Sequence, residues 1–175
     1  MLITQQQEIQ VVVFNLDIAK SSAAAYFNNT SPTSTTLSFG TNPAFNGNGS
    51  THVAYCFAEK QGYSKFSSYI GNGNANGPFV YTGFKPAFVL LKNSSASESW
   101  ELMDNKRLGY NGGTGELRTN LSNAETTSNQ FDLLSNGFKP RTTAGQWNTN
   151  GGVYIYAAFA ESPFVSSKGV PTTAR

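Results

Sequence analysis

The chain has 175 residues, a formal net charge of +2, and only 13% charged against 38% hydrophobic residues. So few charges exclude a coiled coil, and the scattered Lys and Arg leave no footprint for nucleic acid; thirteen Phe and eight Tyr argue against disorder. One Cys and one His exclude an internal disulfide and a His- or Cys-rich metal site, and no apolar run approaches the roughly 20 residues of a membrane helix.

The first ten residues, MLITQQQEIQ, are polar, read as frayed or extended, and lack the basic and apolar regions of a secretory signal. Residues 11–14, VVVF, predict a strand, and the alanines within 17–26 a short helix. NNTSP at 28–32 is turn chemistry, 35–39 a short strand, and NGNGS at 46–50 a tight turn. Residues 51–59, THVAYCFAE, alternate as a strand does. His52, Ala54, Cys56 and Ala58 fall on one face, and Val53, Tyr55, Phe57 and Glu59 on the other.

Residues 63–70 predict a strand, and 71–78, GNGNANGP, a loop. The densest apolar run, residues 87–91, follows Pro86 within GFKPAFVLLK and is closed by KNSS. It is too short for a typical helix and lacks alternation, so it predicts an interior strand buried on both faces. Trp100, Leu102 and Asp104 share one face of the next strand, with Glu101 on the other. Residues 109–115 read as loop, 116–121, 130–134 and 138–141 as short strands, 153–161 as the last strong strand, and 162–175 as an extended tail.

The chain also repeats itself. Asn148, Asn150, Gly151, Ile155, Phe159, Ala160 and Glu161 echo Asn46, Asn48, Gly49, Val53, Phe57, Ala58 and Glu59 at a constant spacing. Residues 134–137, LSNG, echo 37–40, LSFG. The expected fold is an all-β antiparallel sandwich: one complete unit at 60–161, a partial unit at 1–59 packed on it, and the tail at 162–175.

Candidate chemistry is sparse. His52 and Cys56 stand roughly 13 Å apart along a strand, too far for a nucleophile–base dyad. Cys56 aligns with Ala158, so a small buried site is expected there. Glu59 and Glu161 are repeat equivalents that close strands, which favours a structural task over the paired carboxylates of a glycosidase. Asp104 and Arg107 predict an ion pair ordering the next loop, and Trp100 predicts core. Asn72, Asn74 and Asn76 lack the carboxylates of a calcium site. They read as plain turns or as amides that bond sugar hydroxyls, with Phe66 and Tyr69 near enough to stack on a ring. Trp147, in TTAGQWNTNGG, reads equally as a binding anchor or an end cap.

AYCFAEKQGYSKFSSYIGNGNANGPFVYTGFKPAFVLLK, SNGFKPRTT and YIYAAFAESPF resemble a repeat domain of marine tailed-phage proteins, found at the C-terminal ends of tail-fibre-like and other virion proteins. The resemblance spans nearly the whole chain from Phe14, and departs from the pattern at Asn76, where members often carry Asp. It implies a lectin-like, concanavalin-type or jelly-roll sandwich and a virion structural role on tail or capsid surface, without enzyme activity. It carries over no catalytic or binding residue. The alternatives are a polysaccharide depolymerase domain and a capsid decoration protein. Implied partners are other virion proteins, host-surface glycans and further copies of the chain, as a trimer by the fibre resemblance. No cofactor, metal, nucleic acid or membrane insertion is expected.

Overall fold

The computed structural model describes residues 10, 11, 14, 17, 19–22, 24–107, 115–127 and 130–161. The elements run β1 (Gln10–Val11), β2 (Ser21–Ser22), α1 (Ala24–Phe27), α2 (Pro43–Asn46), β3 (Ser64–Ile70), β4 (Val80–Tyr81), β5 (Pro86–Asn93), β6 (Trp100–Asp104), β7 (Gly115–Arg118), β8 (Thr126–Thr127), β9 (Phe131–Leu134), β10 (Gly137–Pro140), α3 (Gly145–Asn148) and β11 (Val153–Ala160).

The fold is an all-β antiparallel sandwich. A six-stranded sheet has the order β3-β11-β5-β6-β7-β8, and a three-stranded sheet the order β4-β10-β9. The central run lies as expected, since β5 is an interior strand paired with β11 on one side and β6 on the other. Alternation then assigns the faces. Val89 and Leu91 point between the sheets, where both are fully buried with Tyr69, Met103, Tyr154, Tyr156 and Ala158 against Val80, Phe131, Leu133 and Phe138. Each such aliphatic side chain contributes about 1.5–3 kcal/mol by leaving water.

The opposite face of the large sheet is apolar too, with Leu90, Trp100 and Ile155 packed together. That explains why β5 shows no polar alternation. Part of this face is covered by the N-terminal segment: Phe14 lies 5.2 Å from Trp100 between ring centroids, and Lys20 N–H donates to Ser94 O at 2.9 Å. Lys92, also on this face, is fully buried and donates to Asn93 O and Ala96 O. Farther along the chain, α1 and α2 form a small aromatic cluster of Tyr26, Phe27, Phe39 and Phe45.

The largest correction concerns residues 51–59. They alternate as a strand should, but they form no strand and every one is exposed. A strand needs partners on its edges, and the described residues supply none here. Cys56 is consequently exposed rather than sunk in a small buried site, while its counterpart Ala158 is fully buried in β11. Residues 35–39 are likewise not a strand. Of the strand expected at 11–14, only Val11 is paired, and residues 12 and 13 lie outside the described residues. The tail at 162–175 lies outside them entirely.

Candidate functional site

The loop at 71–77 leaves the end of β3 and climbs by successive asparagine turns. Asn72 Oδ1 accepts from Asn74 N–H at 3.0 Å, Asn74 Oδ1 accepts from Asn76 N–H at 2.8 Å, and Asn72 Nδ2 donates back to Asn76 O at 3.1 Å. Short amide side chains suit this because they reach their own backbone two residues on. Asn148, fully buried at the end of α3, pins the staircase from beneath. Its Oδ1 accepts from Asn72 N–H at 2.8 Å, and its Nδ2 donates to Asn72 Oδ1, Asn74 O and Thr142 O at 2.7–3.0 Å. Nothing in the sequence marked Asn148 for this beyond its place in the repeat. The side chains of Asn72, Asn74 and Asn76 are exposed. Among the described residues the Asn76 amide makes no side-chain hydrogen bond, so it is open to a hydroxyl from solvent.

The two aromatic residues expected beside this loop are inside the protein. Tyr69 donates to Trp147 O at 2.6 Å and stacks on Tyr154 at 4.8 Å between centroids. Trp147 is 1% exposed and packs on Phe131. The structure therefore brings Tyr69 and Trp147 together as the closing layer of the core, and both are buried away from solvent. Trp147 looked polar by context because Thr, Gly, Gln and Asn surround it; the short helix α3 turns it inward.

A second surface was not legible in the sequence. A half-open cleft of about 650 Å³ is lined by Glu59, Lys60, Gln61, Lys65, Tyr81 and Thr82, among others. Tyr81, on the edge strand β4, is 64% exposed. Its ring lies across Gly83, whose φ of +83° belongs to the left-handed region that glycine enters without strain. Glu59 is held at the rim by Lys65 Nζ at 3.0 Å and by Phe66 N–H at 3.2 Å. The cleft thus combines an accessible aromatic face and the Gln61 amide with a Glu59 carboxylate and a Lys65 ammonium that hold each other in place.

The carboxylates expected to be structural are engaged in structure. Arg107 Nε donates to Asp104 Oδ2 at 2.6 Å, and the N–H groups of Lys106 and Arg107 donate to Asp104 Oδ1. Against the upward pull of burial, these bonds hold the Asp104 carboxyl below its usual range. Glu161 pairs with Lys106 and accepts from Asn105 Nδ2 at 2.9 Å. Glu101, expected on the face away from Asp104, is the exception in its environment. Glu101 is fully buried, its Oε1 lies 3.5 Å from Arg118 Nε, and it has Glu116 beside it on the neighbouring strand. Burial first, and then the Glu116 carboxylate, push it from 4.5 up to about 8. Alternation had already placed Glu101 opposite Trp100; that this side is the inner one follows only once the sheets stack.

Residues 2–163 match the family model described as Domain of unknown function, DUF7483. The chain belongs to the DUF7483 family. No curated protein and no solved structure matches it. The DUF7483 match takes in both repeat copies, the asparagine staircase and the Tyr81 cleft.

Proposed function

We propose that this DUF7483 protein is a virion-surface module, on tail or capsid, that holds host-surface glycans without cleaving them. The phage resemblance of the sequence supplies the setting. The observation that carries the binding role is the Tyr81 cleft. A sugar ring offers an apolar C–H face and a rim of hydroxyls, and recognition suits an exposed aromatic ring flanked by a few fixed polar groups. Tyr81 with the Lys65–Glu59 pair is such a set, Gln61 and Lys60 line the cleft beside it, and the amide of Asn76 offers a second, purely polar contact. Each contact is weak, and display in several copies supplies avidity.

Cleavage of the same polysaccharide is the second reading. It rests on Glu101 and Glu116, two carboxyl groups on adjacent strands, one held protonated at neutral pH, which is how an acid and a base are set apart. Full burial of Glu101 favours binding over cleavage.

The test is binding of the purified protein to host-surface polysaccharide, followed by assay for new reducing ends. Tyr81→Ala, at an exposed position, should keep the strand spectrum and lose most of the binding, with no reducing ends released by either protein. Full binding by Tyr81→Ala would reject the cleft. Reducing-end release that Glu101→Gln abolishes would replace binding with cleavage.

A further inference from the structure

We infer that residues 51–58 are an intermolecular β-strand, which adds antiparallel to the open edge of β3 on a second copy of this chain. The inference goes beyond the glycan reading and does not depend on it.

The internal repeat states what this segment is built for. Val53 and Phe57 correspond to Ile155 and Phe159, and Cys56 to Ala158, all in β11. There the same pattern is a central strand, bonded to β3 on one side and β5 on the other. In the first copy the pattern is intact, and no strand among the described residues pairs with it. Val53 is 77% exposed and Tyr55 82% exposed. Apolar groups on a contiguous extended segment are the signature of an interaction surface, and an unpaired backbone beside them is a template for strand pairing.

The chain does not close this strand on its own β3. The turn before β3 begins as a hairpin, with Lys60 N–H donating to Ser64 O and Ser64 N–H to Lys60 O. The next outward donor on β3 is Phe66 N–H, and the Glu59 carboxylate has taken it. The segment therefore lifts away after Phe57, whose ring still rests near Phe66 and Phe159. Farther along β3 the edge stays open. Outward and inward N–H groups alternate along a strand, so Ser68 and Ile70 face the open side as Phe66 does. β3 ends the sheet order, and among the described residues no strand pairs with it there.

A second copy fits that edge in chemistry as well as in geometry. Residues 51–58 contain no Asp, Glu, Lys or Arg, and β3 contains only Lys65. Edge strands that must stay alone carry charges or proline as guards; Ser68 and Ile70 are neither, and Ile70 is 65% exposed. Each copy offers one such strand and one such edge, joined by the short turn that pairs Lys60 with Ser64. Reciprocal exchange of residues 51–58 closes a two-fold dimer, and head-to-tail addition builds a ring when the rotation permits.

Cys56 reports on the contact, being the chain's one cysteine and lying within the segment. Light scattering on the full chain should show an oligomer whose Cys56 reacts slowly with a maleimide. Tyr55→Pro interrupts the extended segment, and Ser68→Pro removes an outward backbone donor of β3; both should give monomers with a fast-reacting thiol and an unchanged strand spectrum. If Ser68→Pro loses that spectrum, Ile70→Asp takes its place. A monomeric wild type with a freely reacting thiol would overturn the inference, as would an oligomer that survives both changes. An oligomer broken by Tyr55→Pro but kept by both β3 variants would reject the β3 edge.

Discussion

Residues 46–59 and 148–161 start from the same pattern and meet opposite fates. Each opens on a four-residue helix whose last residue is asparagine, α2 ending at Asn46 and α3 at Asn148. Each turns through a glycine at φ +74°, Gly49 and Gly151. Beyond that glycine the copies part. The second becomes β11, with Tyr154, Tyr156 and Ala158 in the core. The first stays an exposed segment. The local chemistry specifies the helix and the turn in both, because those need only their own residues. A strand needs neighbours, and only the second copy has β3 and β5 to either side. Propensity says what a segment can form; partners decide whether it does.

The sharpest way to break this comparison is to place the same charge at the same repeat position in each copy. Ala158→Asp puts an unpaired carboxylate into the core, at a cost of several kcal/mol against a total stability of about 5–15 kcal/mol, and should yield no soluble folded protein. Cys56→Asp sits in water and should change subunit stability by no more than about 0.5 kcal/mol. Urea unfolding of both, in dilute solution where subunits are apart, reads the difference. Comparable losses in the two variants would mean residues 51–58 are packed within the subunit after all.

The next effect belongs to residues 60–161, which among the described residues alone bury a carboxylate cluster. Folded Glu101 holds its proton up to about pH 8, while an unfolded glutamate releases it near its ordinary value of 4.5. Between those values the folded state binds the extra proton. Stability should therefore fall as pH rises from about 4.5 to about 8 and level off above, by a few kcal/mol in order of magnitude. Glu101→Gln keeps the shape and removes the charge, so it should flatten this curve and be the more stable protein at the alkaline end. Wild-type stability that climbs between pH 5 and 8 would contradict the protonated state.

How much of this was legible follows the same division. The interior strand β5 could be read from one apolar run, because burial on both faces leaves a mark that needs no knowledge of neighbours. Trp100 and the Asp104–Arg107 pair were legible for a similar reason: alternation and short-range ion pairing are local. The burial of Trp147, Tyr69 and Glu101 was not, since each depends on how the second sheet and α3 close over the first. Tyr81 was hidden in the plainest sequence of all, two strand residues beside a glycine. The asparagine loop was half legible: its turns follow from Asn and Gly, but its anchor, Asn148, lies far along the chain.

The smallest effect is the most discriminating about how the two copies are joined. An added Cβ at Gly49 or at Gly151 would meet nothing within 4 Å, and both residues sit at the same positive φ. Alanine there costs only backbone strain, roughly 1 kcal/mol, and the local cost should be equal in the two copies. What differs is the unit that registers it. Gly151 precedes β11, so Gly151→Ala should lower the main unfolding transition by about that amount. Among the described residues, the region of Gly49 is tied to the sandwich by few contacts, such as Phe14 on Trp100 and Lys20 on Ser94. Regions with few buried contacts open below the global free energy. Gly49→Ala should therefore leave the main transition in place while speeding amide exchange at residues 42–50. Equal shifts of the main transition would show instead that the partial unit unfolds together with the complete one.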